Sequence, residues 1–305
     1  MEQVGYIELP PHIAPGGFDH AAIYSGPGRL YVAHTANDAV DVIDCETHRY
    51  LRSLPHLRGV AGALVCEERD LVFPSNRGEN TVGIFSAAHE EALVKVAVGI
   101  RPNGLAYDPG RGLLLAANVG DPAIPGSFTV SLVDVARRTL IADVPVAGRT
   151  RWAVFVPQAE AFYVNIADPP LIAVIESADP GHVARVLAIP AAGPHGLDLD
   201  PATGRLFCAC DGKRLVSLDS RSGDILAQVE LGGVPDVVFF NSALKHLYVA
   251  IGDPGLIEVF ETEGMRRVEI ARTERGAHTL AFDPTRNTVY AFLPETHRAA
   301  IYHDS

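Results

Sequence analysis

One short phrase recurs seven times in this chain, and that recurrence constrains its fold more than any other feature. A tight turn leads into an apolar strand at Asp19-His20-Ala21, Ala61-Gly62-Ala63, Pro102-Asn103-Gly104, Arg151-Trp152-Ala153, Pro194-His195-Gly196, Pro235-Asp236-Val237 and Ala277-His278-Thr279. The middle residues, at 20, 62, 103, 152, 195, 236 and 278, advance in steps of 42, 41, 49, 43, 41 and 42. Repeats of about 40–45 residues with several short strands each are the sequence signature of a β-propeller. Each repeat also carries a second strand rich in β-branched and aromatic residues, such as Leu30-Tyr31-Val32-Ala33 and Leu247-Tyr248-Val249-Ala250. A third follows, as in Ala39-Val40-Asp41-Val42-Ile43, and turn sequences such as Asp108-Pro109-Gly110 separate the strands.

The last repeat ends after its third strand, near Tyr302, while Val4 to Leu9 forms an unassigned strand at the other end of the chain. Placing that strand on the outside of the last repeat closes the ring and leaves no open seam. The expected fold is therefore all-β: a seven-bladed β-propeller, one domain over residues 1–305, with its last blade closed by the N-terminal strand.

Leu30 to Asp44 and Leu71 to Phe85 resemble the YVTN-type propeller repeat, with an aromatic-Val strand, a polar turn and a Val-rich strand. The resemblance runs along essentially the whole chain. It implies the fold and leaves the function open.

A propeller brings the equivalent position of every repeat to one rim of its central channel. Here the seven positions read His20, Gly62, Asn103, Trp152, His195, Asp236 and His278. With 12 His in 305 residues, three at seven equivalent positions is more than composition supplies. His195, Asp236, His278 and His20 are consecutive around the ring, and three imidazoles with one carboxylate make a ligand set for a divalent metal. Zn, Mn, Mg, Fe and Cu are not distinguishable on this basis. A His in a Pro-His-Gly turn can equally serve to bond a neighbouring backbone group.

His34 ends a second strand on the same face and is expected to act with His278 in proton transfer. Asn103, Arg151 and Trp152 are expected to hold the substrate, with Arg101 a lesser candidate. Asn118, Asn165, Asp168, Asp211 and Asp253 share that face and read as turn formers. The seven-residue excess in the third repeat, around Gly120 to Gly126, is expected to overhang the mouth.

The Pro194-His195-Gly196-Leu197 turn, and more loosely Ala277-His278-Thr279-Leu280, is similar to the histidine turns of the streptogramin B lyase family, a seven-bladed propeller with a magnesium-dependent site at its mouth. That resemblance implies a metal-site or general-base role for His195 and His278. The family's glutamate at the end of the last blade's second strand has no counterpart, since Glu295 falls about two residues late, so the antibiotic substrate is not implied.

The expected function is a metal-dependent lyase or hydrolase acting on a small cyclic or anionic molecule. A non-catalytic propeller binding a ligand or protein partner at the same face, and a metal-dependent oxidoreductase or oxygenase, are the alternatives. The formal charge of −12 argues against nucleic-acid and anionic-membrane partners. The N-terminus lacks the pattern of a secretory signal, and Cys45, Cys66, Cys208 and Cys210 form no CxxC pair. A cytoplasmic protein with reduced thiols is expected. Oligomeric state leaves no trace in the sequence.

Overall fold

The computed structural model describes residues 1–305 as 28 strands and three short 3₁₀ turns. The strands form seven antiparallel sheets of four. In the first blade these are Ala21–Tyr24, Arg29–His34, Ala39–Asp44 and Arg49–Leu54, running from the channel outwards. The innermost strands pack side by side in cyclic order, and the seventh, Thr279–Asp283, touches the first. No helix is long and apolar enough to cross a membrane.

The second strand of each blade is buried on both faces because it lies between its own sheet partners and the flanking blades. This explains its unbroken apolar character. Tyr31, Tyr163, Tyr248 and Tyr290 are fully buried there, and three of their hydroxyls reach across to later segments, Tyr31 to Glu90 at 3.3 Å. Tyr163 donates to the Ser220 carbonyl at 2.8 Å, and Tyr248 donates to Asp304 at 2.7 Å. Outer strands alternate exposed and half-buried residues, as in Ile225–Glu230. The inner hairpins are set by short acidic or amide side chains that accept backbone N–H groups two and three residues on. Asp108 accepts from Gly110 and Arg111, and Asn241 from Ala243 and Leu244.

Two local devices position the mouth. First, the inner strands of blades two to six each carry a register shift at their start. The shifts fall at Val60/Gly62, Pro102/Leu105, Thr150/Ala153, Pro194/Gly196 and Pro235/Val238. A bulge re-aims the side chain it contains, and each of these contains or borders the repeat's marker residue. Second, three of the neighbouring positions admit only glycine. A Cβ on Gly196 would lie 2.2 Å from the Asp236 carbonyl oxygen, and one on Gly104 would lie 2.4 Å from that of Arg151. Gly62 meets the Asn103 carbonyl in the same way, at 2.4 Å. Adjacent inner strands therefore approach closely at this rim.

The N-terminal strand Glu2–Glu8 pairs antiparallel with Arg298–His303, from Glu2 opposite His303 to Glu8 opposite Arg298. Ile7 drives into the core shared by the first and seventh blades, and the terminal ammonium is held by Glu269. Truncating Ile7 to Ala should remove about 2–5 kcal/mol of stability, because the cavity lies in the contact that shuts the ring. Urea unfolding should show this as a lower midpoint. An unchanged midpoint would mean that the ring does not depend on this strand.

Candidate functional site

The marker side chains other than Gly62 lie at one end of the channel, and the structure brings five of the six into two groups. His195, Asp236 and His278 form a polar group with Asp211 and Arg151. His20 and Trp152 form a stacked pair, with ring centroids 4.0 Å apart.

His195 is the centre of the polar group. Its Nδ1 lies 2.7 Å from Asp211 Oδ1 and its Nε2 lies 3.2 Å from Asp236 Oδ1. Arg151 approaches from the side, with Nη1 3.2 Å from His195 Nε2 and Nη2 3.1 Å from Asp211 Oδ2. With a carboxylate against each ring nitrogen, the ring is best satisfied as an imidazolium donating to both. Burial alone would lower its pKa. Asp236 and Asp211 more than offset that, against Arg151, and hold it up at about 9. Asp236 is pushed the other way: burial would raise its pKa, but His195, His278 and His20 drive it well below the usual carboxylate range. Asp211 is likewise lowered, as His195 and Arg151 overcome its burial.

His278 stands differently. Its Nδ1 is 2.7 Å from the Gly276 carbonyl, which can only accept, so Nδ1 carries the proton. Nε2 lies 4.0 Å from Asp236 Oδ2, beyond hydrogen-bond reach, and has no hydrogen-bond partner in the protein. The side chain is 35% exposed. The mouth thus holds one imidazole clamped between carboxylates and one whose Nε2 is free of protein hydrogen bonds, on either side of Asp236.

The scaffold behind His195 is also specific. Asn165 donates from Nδ2 to the carbonyls of His195 (2.9 Å) and Gly196 (3.2 Å). In the same way Ser75 donates to the Asn103 carbonyl at 2.7 Å, so a second-strand side chain of one blade secures the mouth residue of the next. Asn118 is buried between Thr129 and Ser131. Asp253 pairs at the surface with Arg275. Asn165 and Asn118 are thus part of the scaffold, whereas Asp211, which reads in the sequence as a turn former, contacts the central histidine directly.

Opposite the acidic side lies a basic arc. Burial and then Arg151, Arg101 and Arg77 lower the pKa of Arg149, which places four guanidinium groups within electrostatic reach of one another. Arg77 pairs with Asp19 at 3.0 Å and Arg151 with Asp211, while no carboxylate lies within salt-bridge distance of Arg149 or Arg101. Three buried polar atoms here have no partner in the protein: Asn103 Oδ1, Arg77 Nε and Arg151 Nε. In a chain of net charge −12, this concentration of positive charge is local to the mouth. Arg77 and Arg149 are not singled out by the repeat. The spacing Arg149-Thr150-Arg151 before a marker position is the signal that carries Arg149; Arg77 has no such signal.

Three expectations need correction. His34 is not at the mouth. It is fully buried between the first and last blades, 2.7 Å from Asp41 and packed against Phe18 and His12, so it cannot exchange a proton with a molecule at the mouth or with His278. Trp152 does not offer its face to the polar rim. It stacks on His20 and lines the apolar channel beneath. The Gly120–Gly126 insertion closes on itself through the mutual hydrogen bonds of Asp121 and Ser127 and contributes no polar contact to the mouth.

As placed, His20, His195, Asp236 and His278 do not fit a metal. A ligating imidazole must present a lone pair to the ion, but His195 Nδ1 is committed to Asp211 and its Nε2 is hemmed in by Asp236 and Arg151, each 3.2 Å away. The Arg151 guanidinium, 3.2 Å from Nε2, puts a positive charge where a cation would sit. His20 Nε2 turns to Asp19, 3.4 Å away. No group of three or more His, Cys, Asp or Glu side chains is arranged to hold an ion.

No protein-family model matches the chain, and no curated protein matches its sequence. Among solved structures, the hydrazine synthase of Kuenenia stuttgartiensis superposes with a TM-score of 0.82 at 12% identity, covering 97% of each chain. Likeness at that identity establishes the seven-bladed fold, and chemistry has to be argued from the side chains.

The His195 clamp has a pH signature. A histidine whose pKa rises from 6.5 to about 9 on folding gives stability that is complete below about pH 6.5 and lost as pH climbs through 9. Wild type should therefore lose about 1–3 kcal/mol across that interval, and His195→Gln should lose markedly less. Parallel melting curves of the two proteins between pH 6 and 9.5 would refute the clamp.

Proposed function

We propose that the mouth binds a small anionic molecule and carries out proton transfer on it, in a reaction of the lyase or hydrolase type. The observation that supports this best is the pairing of a clamped imidazolium, His195, with a free imidazole, His278, on either side of Asp236 and facing unpaired arginines. A general acid and a general base must differ in protonation at one pH, and two histidines in different surroundings meet that condition. The Pro194-His195-Gly196 turn is the further support for a lyase-like layout.

The roles follow from the donors each group has left. Arg149 and Arg101, free of carboxylates, attract and orient the anion, and Arg151 adds a positive charge on the side of His195. Asn103 Oδ1 accepts a donor from the bound molecule. His278 Nε2 removes a proton. Its Nδ1–H, held by the Gly276 carbonyl, fixes the orientation of the ring. His195 stabilises negative charge developing on the substrate, or returns a proton to the leaving atom while Asp236 and Asp211 hold the ring in place. None of these steps requires a metal.

A panel of small carboxylates and phosphate esters, followed by proton NMR in D₂O, tests the proposal. At least one should bind, raise the melting temperature, and either turn over or exchange a carbon-bound hydrogen. His278→Gln should slow that reaction about 10²–10⁴-fold with little change in binding. Arg149→Met should instead weaken binding about tenfold, roughly the 1.4 kcal/mol of a modest ionic contact. Binding without reaction in wild type would leave a ligand-binding propeller. Anion affinity indifferent to Arg149 and Arg151 would remove the proposal altogether.

A further inference from the structure

Beneath the mouth the channel changes character. The His20–Trp152 stack lies across it, joining the first blade to the fourth, and Trp152 also meets Phe239 of the sixth blade edge-on at 6.3 Å. Below this plug is a cavity of about 630 Å³, within the range of small-molecule sites. Its wall is mostly apolar, with Ile23, Val65, Tyr107, Phe155, Phe239 and Phe282 among its residues. It is bordered at the opposite face by hairpin residues including Glu68 and Pro284.

One group does not belong in an apolar wall. Asp198 lies midway along the innermost strand Pro194–Asp200 and carries a carboxylate into the cavity. Oδ1 accepts the Leu199 N–H at 2.8 Å and Oδ2 the Phe240 N–H at 2.6 Å. No cationic side chain pairs with it. Burial holds its pKa up at about 6, with those two N–H groups limiting the rise, so it is largely ionised at neutral pH. The other acidic groups lining the cavity are Glu67, whose oxygens accept the Ser25 and Gly26 N–H groups, and Glu68. Apart from His20 in the plug, no basic side chain lines it.

We propose that this channel is a second ligand site, distinct from the mouth, that takes an organic cation with an apolar body. Its ammonium group sits on Asp198 and its hydrocarbon lies against the aromatic wall. The complementarity is twofold. An unpaired carboxylate in a low-dielectric wall gains most from a cation that brings its own apolar surface. Tyr107, Trp152, Phe155, Phe239 and Phe282 supply ring faces of the kind that hold alkylammonium groups. The site does not rest on the acid–base reading of the mouth: a small anion selects the arginines, a hydrophobic cation selects Asp198.

Trp152 is the only tryptophan in the chain and lines this cavity, so binding can be read directly. Titration with phenethyltrimethylammonium should change its fluorescence saturably, and the neutral isostere 3,3-dimethylbutylbenzene should bind at least about tenfold more weakly. Asp198→Asn should erase that preference. Ala22→Phe, which fills the cavity from a half-buried wall position without touching Asp198, should abolish binding of both compounds while leaving the melting temperature close to wild type. Equal affinity of wild type for the cation and its isostere overturns the proposal. So does a fluorescence change that persists in Ala22→Phe. The wild-type comparison stands even if Asp198→Asn fails to fold.

Discussion

The chemistry at the mouth depends on one antiparallel pair of strands far from it, Glu2–Glu8 against Arg298–His303. His20 belongs to the first blade, and His195, Asp236 and His278 to the fifth, sixth and seventh. They meet only if the ring is shut. Sheets in a propeller bury their faces against neighbours, so an open seam would expose the core between the first and seventh blades, where Ile7, Phe18, Phe292 and Ile301 pack together. The closing strand therefore stabilises that core and fixes the distance across the channel at the same time. The closeness of adjacent inner strands is the second half of the constraint. Gly62, Gly104 and Gly196 are required by backbone approach, and the bulges beside them turn the marker side chains towards the axis.

The electrostatics of the mouth follow from that crowding. Asp236 is shared among three histidines because it lies between them in ring order, and the same crowding leaves His195 with a carboxylate on each nitrogen. Two anions around one imidazole favour a cation there. Two anions and an arginine around the same imidazole leave no open position for a metal cation. The composition of the group is compatible with metal binding and its arrangement is not. The difference lies in Asp211 and Arg151, neither of which belongs to the marker ring as a carboxylate or imidazole ligand.

The fold was legible in the sequence because a repeat of fixed period reports architecture without reference to any tertiary contact. The strands, the seven blades and the closing strand all follow from spacing and from the short third-strand ending at Tyr302. The site was legible in part. Position in the repeat identified which residues reach the mouth, because that is set by topology. It could not show what each would touch. His34 occupies a rim position in the repeat, yet its side chain turns between the blades to Asp41, since its rotamer is decided by packing against Phe18. Asp211 looks like any strand-end aspartate until the chain brings it 2.7 Å from His195. Arg77 and Arg149 were hidden for another reason: one sits just past the end of a second strand and the other three residues before a marker, so neither occupies an equivalent position of the repeat.

A channel divided by a plug is a consequence of the same seven positions. Six of the markers bring side chains to the rim and one, Gly62, brings none. His20 and Trp152 meet across the axis because the first and fourth blades face each other in a ring of seven. Their stack separates water-exposed ionic groups from an apolar chamber, so each side keeps its own dielectric. Above, His195, Asp236 and Asp211 are paired and shifted, and Arg149 and Arg101 stand beside them without a carboxylate. Below, Asp198 has only backbone donors, and burial, tempered by them, brings its pKa to about 6. Unpaired positive charge on one side of an aromatic pair and an unpaired carboxylate on the other call for different ligands at the two ends of one channel.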